Sequence, residues 1–247
     1  MFKFFKEMID SFKEGIEEGK QELKEEETKK LETENENVLI VEKLSQTEKF
    51  GTALGAPFRV VLFGDWFTLF GSKDDDPAIP LHLYSFGNYP NKEKFENDLA
   101  KSIERDFEIT DKESCINILA SYFNLAEIDK NNTILENNVA NMGDENMWDL
   151  SKEGSKALLI AVVSHIITAS TDIGILEKDE SLAILDKLIA YTKKNYTDWN
   201  SFAEAFMAGN ESVGLNNAAG RSVLKKYINY LKAKKGSPWN NIQWNPS

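Results

Sequence analysis

The sequence predicts a mainly α chain: a multi-helix globular domain with a short irregular or β segment, preceded by an N-terminal amphipathic helix arm. Three observations predict it. Apolar residues recur at steps of three and four along most of the 247 residues. Start and stop signals bracket those segments, with Thr110 and Glu113 at one start and Gly209 and Gly236 at two stops. One stretch, "SKALLIAVVSHIITA", is apolar nearly all round, which suits a central helix surrounded by others. With 41% hydrophobic and 11% aromatic residues, the chain can bury a sizeable core.

Two units are expected: residues 1–37, an amphipathic helical arm and polar linker, and residues 38–247, a mostly helical globular domain. In the arm, Phe2, Phe5, Met8, Ile9, Phe12, Ile16 and Leu23 share a face. Residues 3–30 hold seven Lys against nine Asp or Glu, whereas membrane-surface helices are rich in Lys and Arg. Membrane attachment is therefore not expected of the arm. Docking on a protein partner is one reading, and lying on its own domain or in solvent is the other. The charge-rich "EEETKKLETENEN" follows as a linker.

The next stretch, "FGTALGAPFRVVLFGDWFTLF", is ambiguous. It reads as a helix ending near Gly55 with a second helix starting near Pro57, or as a helix followed by a strand. The irregular or β segment is placed at residues 57–88, with "GSKDDDPAIP" as a loop and "IPLHLYSFGNYP" as a short strand. Phe95, Leu99 and Ile103 then mark a helix. Cys115, Ile116, Leu119, Tyr122 and Phe123 mark the next, begun by a Thr110–Glu113 capping box. After the all-apolar helix comes one with Leu182, Leu185, Leu188 and Ile189 inward. Trp199, Phe202, Ala203, Phe206 and Met207 give another, ended by Gly209. The last runs over residues 216–234. Beyond Gly236, Pro238 prevents continuation, so an extended tail is expected to lay Trp239, Ile242 and Trp244 back across the bundle.

The formal net charge is -12. Nucleic-acid binding draws on basic surfaces, so no nucleic acid is expected as a partner. Cys115 is the single cysteine, which excludes an intramolecular disulfide and reads as a buried thiol. The start lacks a continuous apolar core and a small-residue cleavage site, and a cytoplasmic protein is expected.

No complete catalytic, cofactor or metal motif emerges. The two histidines, His82 and His165, are not at ligand spacing, and His165 reads as a core residue. Asp74, Asp75 and Asp76 could hold a hard cation, although a solvated loop explains them as well. Arg105, Asp106, Asp149 and Lys152 form a candidate polar site or a structural ion pair. Asp149 precedes the apolar helix, where a carboxylate offsets the helix dipole, and Arg105 could meet it there. Two functions follow. One is a non-catalytic protein-interaction or structural module with a partner docking through residues 1–37. The other is a hydrolase or small-ligand-binding domain using that polar site.

The stretches "MWDLSK", "GILEKDES", "YTDWNSFAEAFMAG" and "SPWNNIQW", in that order, resemble a bacterial family, the YbeU/YbeR-like domain of unknown function numbered 1266. The residues that carry the likeness are Trp148, Asp149, Trp199, Gly209, Pro238, Trp239 and Trp244. "RDFEITDKESCINIL" and "FGTALGAP" extend it to about residues 46–244, and it is firmest from Trp148 onward. Lys152 and Asn210 stand where the family often has Arg. The resemblance implies a cytoplasmic, predominantly helical protein, with the arm outside the family domain.

Overall fold

In a computed structural model of the chain, the structure describes residues 44–63, 92–128, 150–209, 218–233 and 237–245. All lie in the compact unit Leu44–Ser247. The arm at residues 1–37, the acidic run at Asp74, the segment around His82, Trp148 and Asp149 lie outside the described residues.

The described residues form helices α1 (Gln46–Phe63), α2 (Lys92–Phe107), α3 (Lys112–Leu125), α4 (Glu153–Asp172), α5 (Lys178–Asn195), α6 (Trp199–Gly209), α7 (Ala218–Ala233) and the short α8 (Pro238–Asn241). No strand occurs among them. Helix α4 is the hub: α1, α2, α3, α5 and α6 all pack on it. Residues 159–163, together with Ile166 and Ile167, have no exposed surface at all. By length and composition residues 154–172 could cross a membrane, yet 89% of that window is buried inside the fold. An all-round apolar helix is what such a central position demands.

The ends of the helices follow local chemistry. Helix α3 is capped by Asp111 and Ser114, one residue on from the expected Thr110 and Glu113. Asp111 is extended and its carboxylate accepts from Ser114 N at 2.8 Å, while Ser114 Oγ accepts from Asp111 N at 3.1 Å. Asp is the stronger cap, and its short side chain reaches the third amide from that backbone. Between α4 and α5 the chain turns at Gly174, whose φ of 76° is left-handed and costs glycine nothing.

Helix α1 corrects the sequence reading most. It neither ends near Gly55 nor passes into a strand, but continues through Pro57 to Phe63. A proline inside a helix removes the bond to the carbonyl four residues back, here Ala53, and its ring presses on that carbonyl. A side chain from the tail meets the orphaned carbonyl, and side chains also donate to the two carbonyls before it. Trp239 Nε1 donates to Ala53 O at 2.9 Å. Arg59 Nη2 donates to Thr52 O, and Ser164 Oγ donates to Gly51 O. Three successive carbonyls thus receive side-chain donors, and for Ala53 O the tail indole replaces the donor that Pro57 lacks.

The tail carries a second correction. It is not wholly extended: Ser237 caps one helical turn, accepting from Trp239 N at 3.2 Å, and Pro238 takes the first position. Proline is suited to that position because its missing N–H would find no helical partner there.

Candidate functional site

Three of the residues that carry the family likeness, Trp199, Trp239 and Trp244, meet beside α1. Trp199 opens α6, and its ring is the centre of a cluster. It stacks on Trp239 at 5.8 Å and 12°, and it meets Trp244 edge-on at 4.7 Å and 85°. Phe50 of α1 lies 5.0 Å from Trp199 and 5.3 Å from Trp244. Trp199 Nε1 donates to Ile242 O at 2.7 Å. Trp239, Ile242 and Trp244 are buried, as the sequence reading expects of a tail lying back on the bundle. Buried rings of this size contribute about 4 to 6 kcal/mol each from area alone, an upper bound. Both indole donors of Trp199 and Trp239 point at backbone carbonyls, so the cluster holds chain to chain.

Gly209, the last residue of α6, serves the same end. A Cβ on it would collide with the backbone of Gly154, and a Cβ on Gly154 would collide with Gly209. The two glycines let α4 and α6 cross with their backbones in contact, a use that only a missing side chain permits.

Behind Pro57 runs a buried polar seam between α1 and α4. Arg59 is 2% exposed, and Arg59 Nη1 donates to Thr168 Oγ1 at 2.7 Å. A buried guanidinium is costly unless its donors find acceptors, and Thr52 O and Thr168 Oγ1 are two of them. His165 lies fully buried against the rings of Phe58 at 5.3 Å and Phe107 at 6.3 Å. Burial, then the charge of Arg59, hold its pKa well below 6.5, so the imidazole is neutral. This is the core histidine expected from the sequence. Cys115 is likewise a buried thiol, pushed up to about 11 by burial against a partly offsetting hydrogen bond with Ser170.

The expected polar group is only partly assembled. Arg105 Nε and Nη2 each donate at 2.8 Å to the carboxylate of its own neighbour, Asp106, and Ser102 Oγ donates to Asp106 at 3.2 Å. The Arg105 side chain is 59% exposed and that of Asp106 only 6%. The exposed guanidinium thus neutralises a sheltered carboxylate. Lys152 stands at the N-cap of α4, exposed and making no side-chain cap. An ion pair of Arg105 with Asp149 rests on a residue outside those described.

Sequence reasoning missed a cleft of about 680 Å³ between the end of α3, the start of α4 and the outer side of α5. Lys156, Lys187 and Lys194 line it with Glu127, Tyr191 and Asn195. Glu127 has φ 52°, a left-handed backbone that a glutamate seldom adopts. Burial raises the pKa of Tyr191, and the charge of Glu127 adds to it. No local pattern announced it, because its lining comes from residues 125–128, 150–156 and 187–195, which are separated along the chain. Among the described residues no group of three or more His, Cys, Asp or Glu could hold a metal ion.

The family described as Protein of unknown function (DUF1266) matches residues 81–244. That span holds the three tryptophans of the ring cluster, both crossing glycines, the cleft and α4, and it leaves α1 with Phe50 and "FGTALGAP" outside. No curated protein and no solved structure matches the chain. Matched over well more than half its length, with α2 to α8 and the Trp199–Trp239–Trp244 cluster inside the match, the chain belongs to the DUF1266 family.

Proposed function

We propose that the protein is a non-catalytic protein-interaction or structural module whose partner docks through residues 1–37. One observation carries this reading. Among the described residues that carry the family likeness, four are spent on packing: Trp199, Trp239 and Trp244 close the tail onto α1 and α6, and Gly209 seats α6 on α4. Residues used to hold helices together make a scaffold, and the amphipathic sequence of the arm offers the surface. Affinity capture with the full chain and with a chain starting at residue 38 tests it. Loss of the captured proteins on removal of the arm is expected; identical sets would refute docking through residues 1–37.

The cleft beside α5 favours a second reading, a small-ligand-binding or hydrolase domain with its polar site extended from Arg105, Asp149 and Lys152 toward Lys156. Leu150 and Lys156, on either side of Lys152, line that cleft. Thermal-shift screening of small anions against wild type and Lys156→Ala would support it through a shift that the variant loses. A cytoplasmic setting and membership of the bacterial YbeU/YbeR-like group belong to the same proposal. The buried thiol of Cys115 and the order of the Trp-Asp, Ser-Trp and Ser-Pro-Trp elements support them.

A further inference from the structure

The charge of this chain is sharply divided. Glu211 is its last acidic residue. The 36 residues after it hold Arg221, Lys225, Lys226, Lys232, Lys234 and Lys235 and no Asp or Glu. The whole chain carries -12, so the preceding 211 residues carry -18 against +6 here. Four of the six cations lie on α7.

The fold turns these residues outward. Leu224, Tyr227, Ile228 and Leu231 of α7 are buried, and α7 packs on α1, α6 and α8. Arg221, Lys225 and Lys226 are exposed, and Lys232 is half-buried. At about 100° per residue, Arg221, Lys225 and Lys232 fall within about 40° of one another around the helix. They form one row, running about 17 Å along the axis at 1.5 Å per residue. Exposed Ser222 and Asn229 lie on its solvent side and buried Leu224 and Ile228 on the other, so the row runs along the rim of the buried face. Basic side chains beside the apolar inner face of a helix mark a surface for an anionic partner.

We propose that the basic row along the rim of α7 binds a short acidic segment of a partner protein. This rests on the reading of the chain as an interaction module and names the chemistry of a partner at a second surface, away from the arm. The size of the patch selects the partner. Charges at physiological salt act over about 8 Å. A bilayer or a nucleic-acid duplex extends far beyond a 17 Å row and brings its own negative surface against the acidic remainder, including exposed Asp198 and Glu204 of the neighbouring α6. An acidic peptide covers the row and stops. Opposite charge across such a contact also speeds association and selects the partner.

Fluorescence anisotropy with a labelled ten-residue oligoglutamate peptide tests the proposal. The full chain is titrated at rising salt beside two variants that change net charge equally. Lys225→Glu with Lys232→Glu reverses two members of the row; Lys101→Glu with Lys112→Glu reverses two exposed lysines on α2 and α3. All four positions are at the surface, and circular dichroism checks that both variants stay folded. The expected result is salt-sensitive binding that the α7 variant weakens about tenfold and the control less than about twofold. Absence of binding by the wild type, or equal weakening in both variants, overturns the proposal. So does tighter binding to vesicles with 30% phosphatidylserine or to a twenty-base-pair duplex, and so does self-association in sedimentation that the α7 variant abolishes. Peptide binding that fails while capture through the arm persists removes this surface alone; the reverse outcome removes the arm alone.

Discussion

Replacing Trp239 by Phe keeps a ring in the cluster and deletes one donor. In the folded chain that donor serves Ala53 O at 2.9 Å, the carbonyl that Pro57 leaves without its helical partner. A buried acceptor left unmet costs about 1 to 3 kcal/mol. The smaller ring loses about 1 kcal/mol more of buried area. The expected cost is about 3 kcal/mol, which lowers Tm by about 6 to 12 °C in a domain of this size. Pro57→Ala supplies the test of mechanism, because that substitution restores an N–H four residues after Ala53. In that background Ala53 O has a helical donor, and Trp239→Phe should cost only about 1 kcal/mol. The double-mutant cycle, measured by urea unfolding of all four proteins, therefore predicts a coupling of about 2 kcal/mol. An equal cost in both backgrounds, within about 0.5 kcal/mol, would refute the claim that the indole replaces the missing helix bond.

Gly209→Ala should destabilise by about 3 kcal/mol, because the new methyl meets the backbone of Gly154. Gly51→Ala meets only the mobile end of Leu185 at 2.7 Å and should cost about 1 kcal/mol; equal Tm losses in the two would contradict the crossing. Glu48 is an acid-sensitive joint between α1 and α5, paired with Lys178 at 2.6 Å. Burial works to raise its pKa, but the hydrogen bonds from Lys178 and Ser45 outweigh it, so the folded pKa lies below 4.5. Its contribution is fully present above 4.5 and is lost as pH falls through the lower folded value. Glu48→Gln should cost about 1 kcal/mol at pH 7, and the gap in unfolding free energy should close on acidification; a gap unchanged from pH 7 to pH 3 would contradict the pairing. Cys115, buried and with its pKa near 11, should resist a thiol reagent in the native protein and react at once in denaturant; rapid native labelling would place it elsewhere.

Helices α2, α3, α5, α6 and α7 were legible because each carries an apolar face at steps of three and four, and Gly209 stands just where α6 stops. The apolar helix announced its central place by having no polar face. What sequence could not supply was compensation between distant residues. Pro57 read as a break, and the donor that rescues it lies 182 positions away in the tail. The capping box was misplaced by one because Thr110 and Asp111 are both good caps, and backbone angles decided between them. In the candidate site, Arg105 and Asp106 were visible as charges, but their pairing with each other was not, since neighbours on a helix do not ordinarily face one another. The cleft and the Arg59 seam depend on how α1, α3, α4 and α5 are set against each other, which no local pattern encodes.

Hydrogen exchange at the five indole nitrogens, followed by NMR, tests the central claim most directly. If the tail rings close the core and complete α1, the Nε1 protons of Trp199 and Trp239 exchange only on global unfolding, with protection matching the full unfolding free energy. Exchange of Trp239 Nε1 at the rate of a free indole would mean that the tail is not bound there, and that α1 passes Pro57 by some other means.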